Sequence, residues 1–159
     1  MYQEVFQLHA SLLKALAHPK RLEIVHLLRE EALTVTEIQR MLGLGQANLS
    51  QHLQVLREAG VVRAERNGKQ KRYRLAHRNF AKASDLLRTV LIERHADEPL
   101  ADELSKRMRD FLPIVQDVVC GMRLSPRTAG FARAFNGKRY YFCATGCLQT
   151  FRLNPQRYV

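Results

Sequence analysis

Three cysteines occupy the last quarter of a 159-residue chain, Cys120, Cys143 and Cys147, in the spacing C-x22-C-x3-C, and no cysteine precedes them. Thiolates bind soft and borderline cations strongly, and thiols are also the side chains most readily oxidised. Either chemistry needs the sulfurs to converge. An odd number of cysteines favours metal or redox chemistry over a disulfide framework. Free cysteine is often only a small buried hydrophobe, but confinement of all three to one short segment does not fit that account.

The elements around the cysteines can bring them together. Asn136-Gly137 is a hairpin turn signal, and the strand after it, Lys138 to Phe142, delivers Cys143 to its end. Cys147 then starts a helix whose Phe151 packs back on the hairpin, and Cys120, in the preceding turn of "DVVCGM", closes the site. About 45 residues bury little apolar surface and need a staple. Three thiolates without an obvious fourth ligand suit trigonal coordination of a soft ion, Cu(I), Ag(I), Hg(II) or trivalent arsenic. Zn(II) prefers a tetrahedron and would need Asp117, a water or a neighbouring side chain. Met122 could offer a thioether but reads as packing. A helix over Leu100–Phe111 with a break at Pro113 precedes this segment.

The cysteine-free part has a different character. The segment Val5–Leu28 reads as two helices, broken at His18-Pro19 because a residue before proline is pushed out of the helical region. Thr34-Val35-Thr36-Glu37 is a capping box that opens a short helix with Ile38, Met41 and Leu42 inward. After a Gly43-Leu44-Gly45 turn, a second helix runs from about Gln46 to Ala59 with Leu49, Leu53 and Leu56 as its buried stripe. Its other face carries Gln46, Ala47, Asn48, Ser50, Gln51, His52 and Gln54, slim side chains that, Ala47 apart, can bond base edges and phosphates. By itself such a face describes any solvated helix. The stretch after it changes the reading: two alternating runs flank Asn67-Gly68, a hairpin with Val62 and Ala64 on one side opposite Tyr73 and Leu75. Its tip and outer face hold Arg63, Arg66, Lys69, Lys71, Arg72 and Arg74 against Glu65 alone. Helix, turn, helix and basic hairpin make a winged helix-turn-helix, with the helix in a major groove and the wing on phosphates. The 26 Lys+Arg against 15 Asp+Glu, net +11, suit a polyanionic partner. The remaining histidines offer no alternative site: His9 and His26 read as packing residues, His18 as a helix boundary and His77 as exposed.

"LLKALAHPKRLEIVHLL" followed by "TVTEIQRMLGLGQANLSQHLQVLREAGVVRAERNGKQKRYRL" resembles the arsenic-repressor (ArsR-type) family of bacterial winged-helix regulators over about residues 8–76. The resemblance implies a homodimeric transcriptional repressor of operator DNA, with an N-terminal helix and a helix after the wing forming the dimer interface. Arg78 to Arg94 suits the second role, with Phe80, Leu87, Val90, Leu91 and Ile92 as apolar surface. Two metal motifs of the family are missing. Ala32-Leu33-Thr34-Val35-Thr36 stands where many members carry C-x-C, and Asp85, Glu93, His95, Asp97 and Glu98 do not match the zinc motif of the dimer helix. "DVVCGM", "FNGKRYYFCATGCLQTF" and "NPQRY" resemble the YHS domain and the related TRASH metal-binding domain over about residues 115–159. Val118 replaces a usual proline, and Tyr141 stands where some members carry histidine. This second resemblance implies metal binding by Cys120, Cys143 and Cys147 and makes Cu(I) the first choice, with structural zinc as the rival.

The fold class expected is mainly α with small β elements (α+β): a winged helix-turn-helix and dimerisation domain over 1–98, a helical linker over 99–114, and a small treble-clef-like, metal-stapled hairpin–helix domain over 115–159. With 46% apolar and 26% charged residues the chain has a normal globular composition. Met1-Tyr2-Gln3-Glu4 opens without a basic segment followed by an apolar run, and no apolar stretch approaches roughly 20 residues, so a cytoplasmic protein without membrane contact is expected. No Gly-rich phosphate loop appears, and no nucleophile, base and orienting group recur together, which argues against an enzyme with a small organic substrate. Two other readings remain open: a thiol redox or persulfide sensor using the same cysteines, and a metal chaperone whose basic half docks on a partner.

Overall fold

The computed structural model describes residues 2–105, 114–127 and 129–159, apart from the side chain of Asn67. Helix α1 (Tyr2–Leu16) meets α2 (Pro19–Leu27) at His18. Pro19 forces His18 into an extended conformation, φ −156°, and its Nδ1 accepts the backbone N–H of Lys20 at 3.1 Å, capping α2.

The two-residue strand β1 (Leu33–Thr34) leads into α3 (Val35–Leu42), then α4 (Gln46–Glu58), β2 (Val62–Asn67), β3 (Gln70–Leu75) and α5 (Asn79–Arg94). The capping box at α3 is complete. Thr34 Oγ1 accepts the Glu37 N–H at 3.2 Å, and Glu37 Oε2 accepts the Thr34 N–H at 2.8 Å. Gly43 ends α3 in the left-handed region, φ 62°, where a Cβ would be strained. The core of this half lies between α2, α3, α4 and the sheet: Ile24, Val25, Leu33, Ile38, Leu49, Leu56 and Val61 have no exposed surface. Burying one such side chain contributes about 1.5–3 kcal/mol.

The sheet has the order β1-β3-β2, so sequence reasoning missed its third strand, which pairs Leu33 with Tyr73 and Thr34 with Arg72. A two-residue strand carries no alternation to read. The hairpin register, Val62 opposite Leu75 and Asn67 opposite Gln70, makes Gly68 and Lys69 the turn, one residue later than the expected Asn67-Gly68. Val62 and Leu75 are both buried, and a slip of one residue would turn them to solvent, so burial sets the register over the dipeptide's own preference.

Helix α6 spans Leu100–Ser105; the rest of the helix expected to reach Phe111, with its break at Pro113, lies outside the described residues. The C-terminal part contains a short ladder of β4 (Val115–Gln116) with β5 (Arg123–Leu124), a hairpin of β6 (Phe131–Phe135) with β7 (Lys138–Phe142), α7 (Thr145–Leu153) and a 3-10 turn over Pro155–Tyr158. Here Asn136 and Gly137 do form the turn, both with positive φ, 47° and 74°, as a type I′ hairpin requires. Phe151 of α7 is fully buried and packs on Phe142 and Tyr140, each at 5.1 Å between ring centroids. That aromatic cluster is small, as expected of a unit this short. Among the described residues no helix is long and apolar enough to cross a membrane.

Candidate metal centre and nucleic-acid interface

Each cysteine reaches the site on a different local structure. Cys120 lies in the turn between β4 and β5, Cys143 directly follows β7, and Cys147 is in the first turn of α7. Cys143 Sγ stands 3.5 Å from Cys120 Sγ and 3.7 Å from Cys147 Sγ. Asp117 completes the group: one ligand atom from each of Asp117, Cys120, Cys143 and Cys147 lies within 4.8 Å of the others. Among the described residues this is the one group of three or more such side chains placed to hold a metal ion. Three sulfurs and a carboxylate oxygen are a donor set that fits a soft or borderline cation.

Asp117 is fully buried. Its Oδ2 accepts the N–H of Cys143 at 2.8 Å and its Oδ1 that of Val119 at 2.9 Å. Burial alone would raise its pKa, but these N–H donors outweigh it and hold the carboxyl below the usual range. Burial pushes the thiols of Cys143 and Cys147 up, reinforced at both by bonds with Cys120 and Asp117, while the bonds with Cys147 and Arg40 oppose the rise at Cys143. Without a metal ion both are therefore thiols at neutral pH, and an incoming cation must displace their protons. Met122, weighed as a thioether ligand, is occupied elsewhere: its sulfur accepts from Arg40 at 3.2 Å. Tyr141 is half-buried on β7 and offers no imidazole.

On α4, Gln46, Ala47, Asn48, Ser50, Gln51 and Gln54 are all exposed. His52 is a correction to the predicted reading face. It is buried, 9% exposed, and its ring lies 4.5 Å from that of His18. The spacing Leu49, His52, Leu53, Leu56 carries this signal, since all four fall on one helical stripe. His9, expected to pack, is exposed on α1.

The cations of the wing divide between its two faces and its tip. Strand alternation puts Arg66 and Lys71 on the face of Ala64, Tyr73 and Leu75, beyond the core edge, with the Lys71 ammonium 5.4 Å from the Tyr73 ring centre. Arg63, Glu65, Arg72 and Arg74 share the other face, where Glu65 pairs with Arg63 at 3.0 Å and with Arg74 at 3.6 Å. Lys69 is exposed at the tip.

Along α5, Leu87, Val90 and Leu91 are exposed and Ile92 is half-buried, whereas Phe80 packs on the core and so leaves the expected apolar surface. The underside of α5 is tied to α2 by a polar network. Arg29 donates to His26 Nδ1 at 2.9 Å and to Asp85 at 2.7 Å, and His26 Nε2 lies 2.9 Å from Ser84 Oγ. A guanidinium only donates, so Nδ1 accepts and the His26 proton sits on Nε2, bonded to Ser84. Burial, then Arg29, drives the His26 pKa down to about 4.

The family model for bacterial regulatory proteins of the arsR family matches residues 18–64. A biofilm growth-associated repressor of Xylella fastidiosa is 46% identical over 81 residues, covering 51% of this chain and 71% of that protein. The chain belongs to the arsR family. Its arsR half is followed by a YHS domain, whose model matches residues 115–159. Among solved structures, Mycobacterium tuberculosis Rv0081 is 40% identical and covers 58% of this arsR-family chain and 94% of its own, with a TM-score of 0.54. A homodimeric winged helix-turn-helix DNA-binding domain, Mb0332 of Mycobacterium bovis, is 30% identical and covers 62% of this chain and 91% of its own, with a TM-score of 0.55. The arsR family is one of DNA-binding regulators rather than of enzymes.

Proposed function

We propose that this arsR-family chain is a homodimeric transcriptional repressor that leaves operator DNA when a soft metal ion binds its YHS domain. The observation that carries the reading is the convergence of Asp117, Cys120, Cys143 and Cys147 in a chain whose winged half lacks the two metal motifs that the family resemblance implies. Cu(I) is the first choice, Ag(I), Hg(II) and trivalent arsenic being of the same class; Zn(II) with Asp117 as fourth ligand is the structural alternative. The exposed polar residues of α4, Gln46 to Gln54 without His52, read bases. The wing, through Arg63, Arg66, Lys69, Lys71, Arg72 and Arg74, holds phosphates. The exposed apolar stripes of α1 and α5, Val5, Phe6 and Leu8 with Leu87, Val90 and Leu91, fit a two-fold interface, and the similar Mb0332 domain is homodimeric. The test is anaerobic fluorescence anisotropy of the metal-free protein on DNA upstream of its own gene, titrated with Cu(I) and then Zn(II). Release by Cu(I) alone supports the reading. Stoichiometric resident zinc with no response to either ion overturns it and makes the YHS domain a structural unit.

The 3.5 Å between Cys120 and Cys143 sulfurs favours one second reading, a thiol redox or persulfide sensor. In the disulfide form of that reading, a peroxide-class oxidant takes two electrons, the S–S bond forms, and both thiol protons leave. A reversible loss of about two daltons that tracks loss of DNA binding would select it.

A further inference from the structure

We infer that the face of α3 covered by the YHS domain is the joint through which the thiolate site acts on the helix-turn-helix, with Arg40 and Arg123 as its two pins. The inference rests on the metal-responsive reading above and names its route.

Two arginines cross the boundary in opposite directions. Arg40, on α3, sends Nη1 to the carbonyl oxygen of Cys143 at 3.0 Å and to the sulfur of Met122 at 3.2 Å. Cys143 bears one of the candidate ligands, and Met122 lies two residues beyond another, Cys120. Arg40 thus bridges the two segments that metal ligation would lock together. Arg123, on β5, reaches back to Glu37 Oε1 at 3.1 Å, to the Ala32 carbonyl at 2.8 Å and to the Glu31 carboxylate. Glu37 is the carboxylate of the α3 capping box. Burial would raise its pKa, but the bonds from Arg123 and Thr34 hold it below the usual range, so it stays an anion facing a cation.

The remaining step lies within the winged half. Ile38 and Met41 of α3 are buried in the same core as Leu49 and Leu53 of α4, the helix whose outer face is free for DNA. A close-packed core transmits a rigid-body shift of one helix to its neighbour instead of absorbing it. An effector moves a two-state equilibrium only through contacts that differ between the states. Arg40 contacts the segments that carry the ligands while standing on the helix-turn-helix itself, so metal ligation would act on those contacts directly. It is a positioning residue, neither a ligand nor a member of the reading face.

The test uses the full chain with Arg40→Gln and Arg123→Gln, and Cu(I) under anaerobic conditions as the probe, Zn(II) being the second arm. Both variants should bind metal in the wild-type stoichiometry and bind promoter DNA without metal within about threefold of wild type. The metal-induced change in DNA affinity, expected in the usual allosteric range of about 5–150-fold for wild type, should fall below about twofold. Metal should alter hydrogen exchange of the α3 amides, residues 35–42, in wild type and not in Arg40→Gln. A full metal response in Arg40→Gln overturns the joint while leaving the sensor reading intact. No response in wild type that still binds metal and DNA overturns the sensor reading itself. Should Arg40→Gln fail to fold, Arg40→Met keeps the apolar stem but has no donor for the Cys143 carbonyl or the Met122 sulfur; a response in that variant equal to wild type also overturns the joint.

Discussion

Asp117 Oδ2 accepts the backbone N–H of Cys143 at 2.8 Å, from a carboxylate with no solvent exposure. With Oδ1 on the Val119 N–H, one buried anion ties the turn that carries Cys120 to the strand end that carries Cys143. Asp117→Ala would leave both N–H groups unsatisfied, at about 1–3 kcal/mol each. It should weaken metal binding about 10–100-fold, the usual cost of losing an orienting partner, measured by competition with a chromophoric chelator. Unchanged affinity would separate Asp117 from the site.

Cys143 is the central sulfur, within 3.7 Å of both others. Cys143→Ser should retain metal-free operator affinity and lose the metal response in the same anisotropy titration. Operator binding lost together with the metal would identify a structural ion.

Glu65 sets the charge of the wing. Its pairs with Arg63 and Arg74 are solvent-exposed and add little to stability, but the carboxylate opposes phosphate. Glu65→Gln should tighten DNA binding severalfold at low salt and steepen the slope of log affinity against log salt. Arg66→Ala, removing a cation that no acid of the wing balances, should reduce that slope by about one. Equal slopes in all three proteins would remove the wing from the DNA contact.

His26 makes the link between α2 and α5 pH-dependent. Its folded pKa of about 4 lies below the ordinary value of 6.5, so between these values the unfolded chain binds more protons. Arg29 and Arg88 disfavour the imidazolium, Asp85 favours it, and Ser84 accepts the Nε2 proton. The stability is fully present above about pH 6.5 and falls as pH drops towards 4, by up to roughly 3 kcal/mol at about 1.4 kcal/mol per unit. Urea melts at pH 7 and pH 5 should show the loss in wild type and a smaller one in His26→Gln. A flat wild-type profile would contradict the burial argument.

The sequence makes local devices legible and long-range ones obscure. The Thr34–Glu37 capping box, the break at His18-Pro19 and the Leu49, Leu53, Leu56 stripe depend on residues a few positions apart, and all appear as read. The convergence of the three thiols could also be traced, because a single hairpin and the helix after it position two of them. Two Asn-Gly pairs behaved differently. Asn136-Gly137 forms its turn freely, whereas Asn67 is held in strand pairing because Val62 and Leu75 must both face the core. His52 was misplaced because its polarity outweighed its position on an apolar stripe. The α3 joint gives no sequence signal: Arg40 and Cys143 are 103 residues apart, Arg123 and Glu37 86, and an isolated arginine resembles any solvated one.

The carboxylate of Glu37 closes the first turn of α3 through Thr34 and also receives Arg123 from the YHS domain. One side chain thereby serves both the start of a helix in the DNA reader and the attachment of the YHS domain. The Glu37 carboxylate is buried and already fixed by the cap, so Arg123 meets an anion whose position α3 itself has set. Transplanting residues 115–159 to another reader should be governed less by the linker than by whether the recipient carries a glutamate at the third position of that helix.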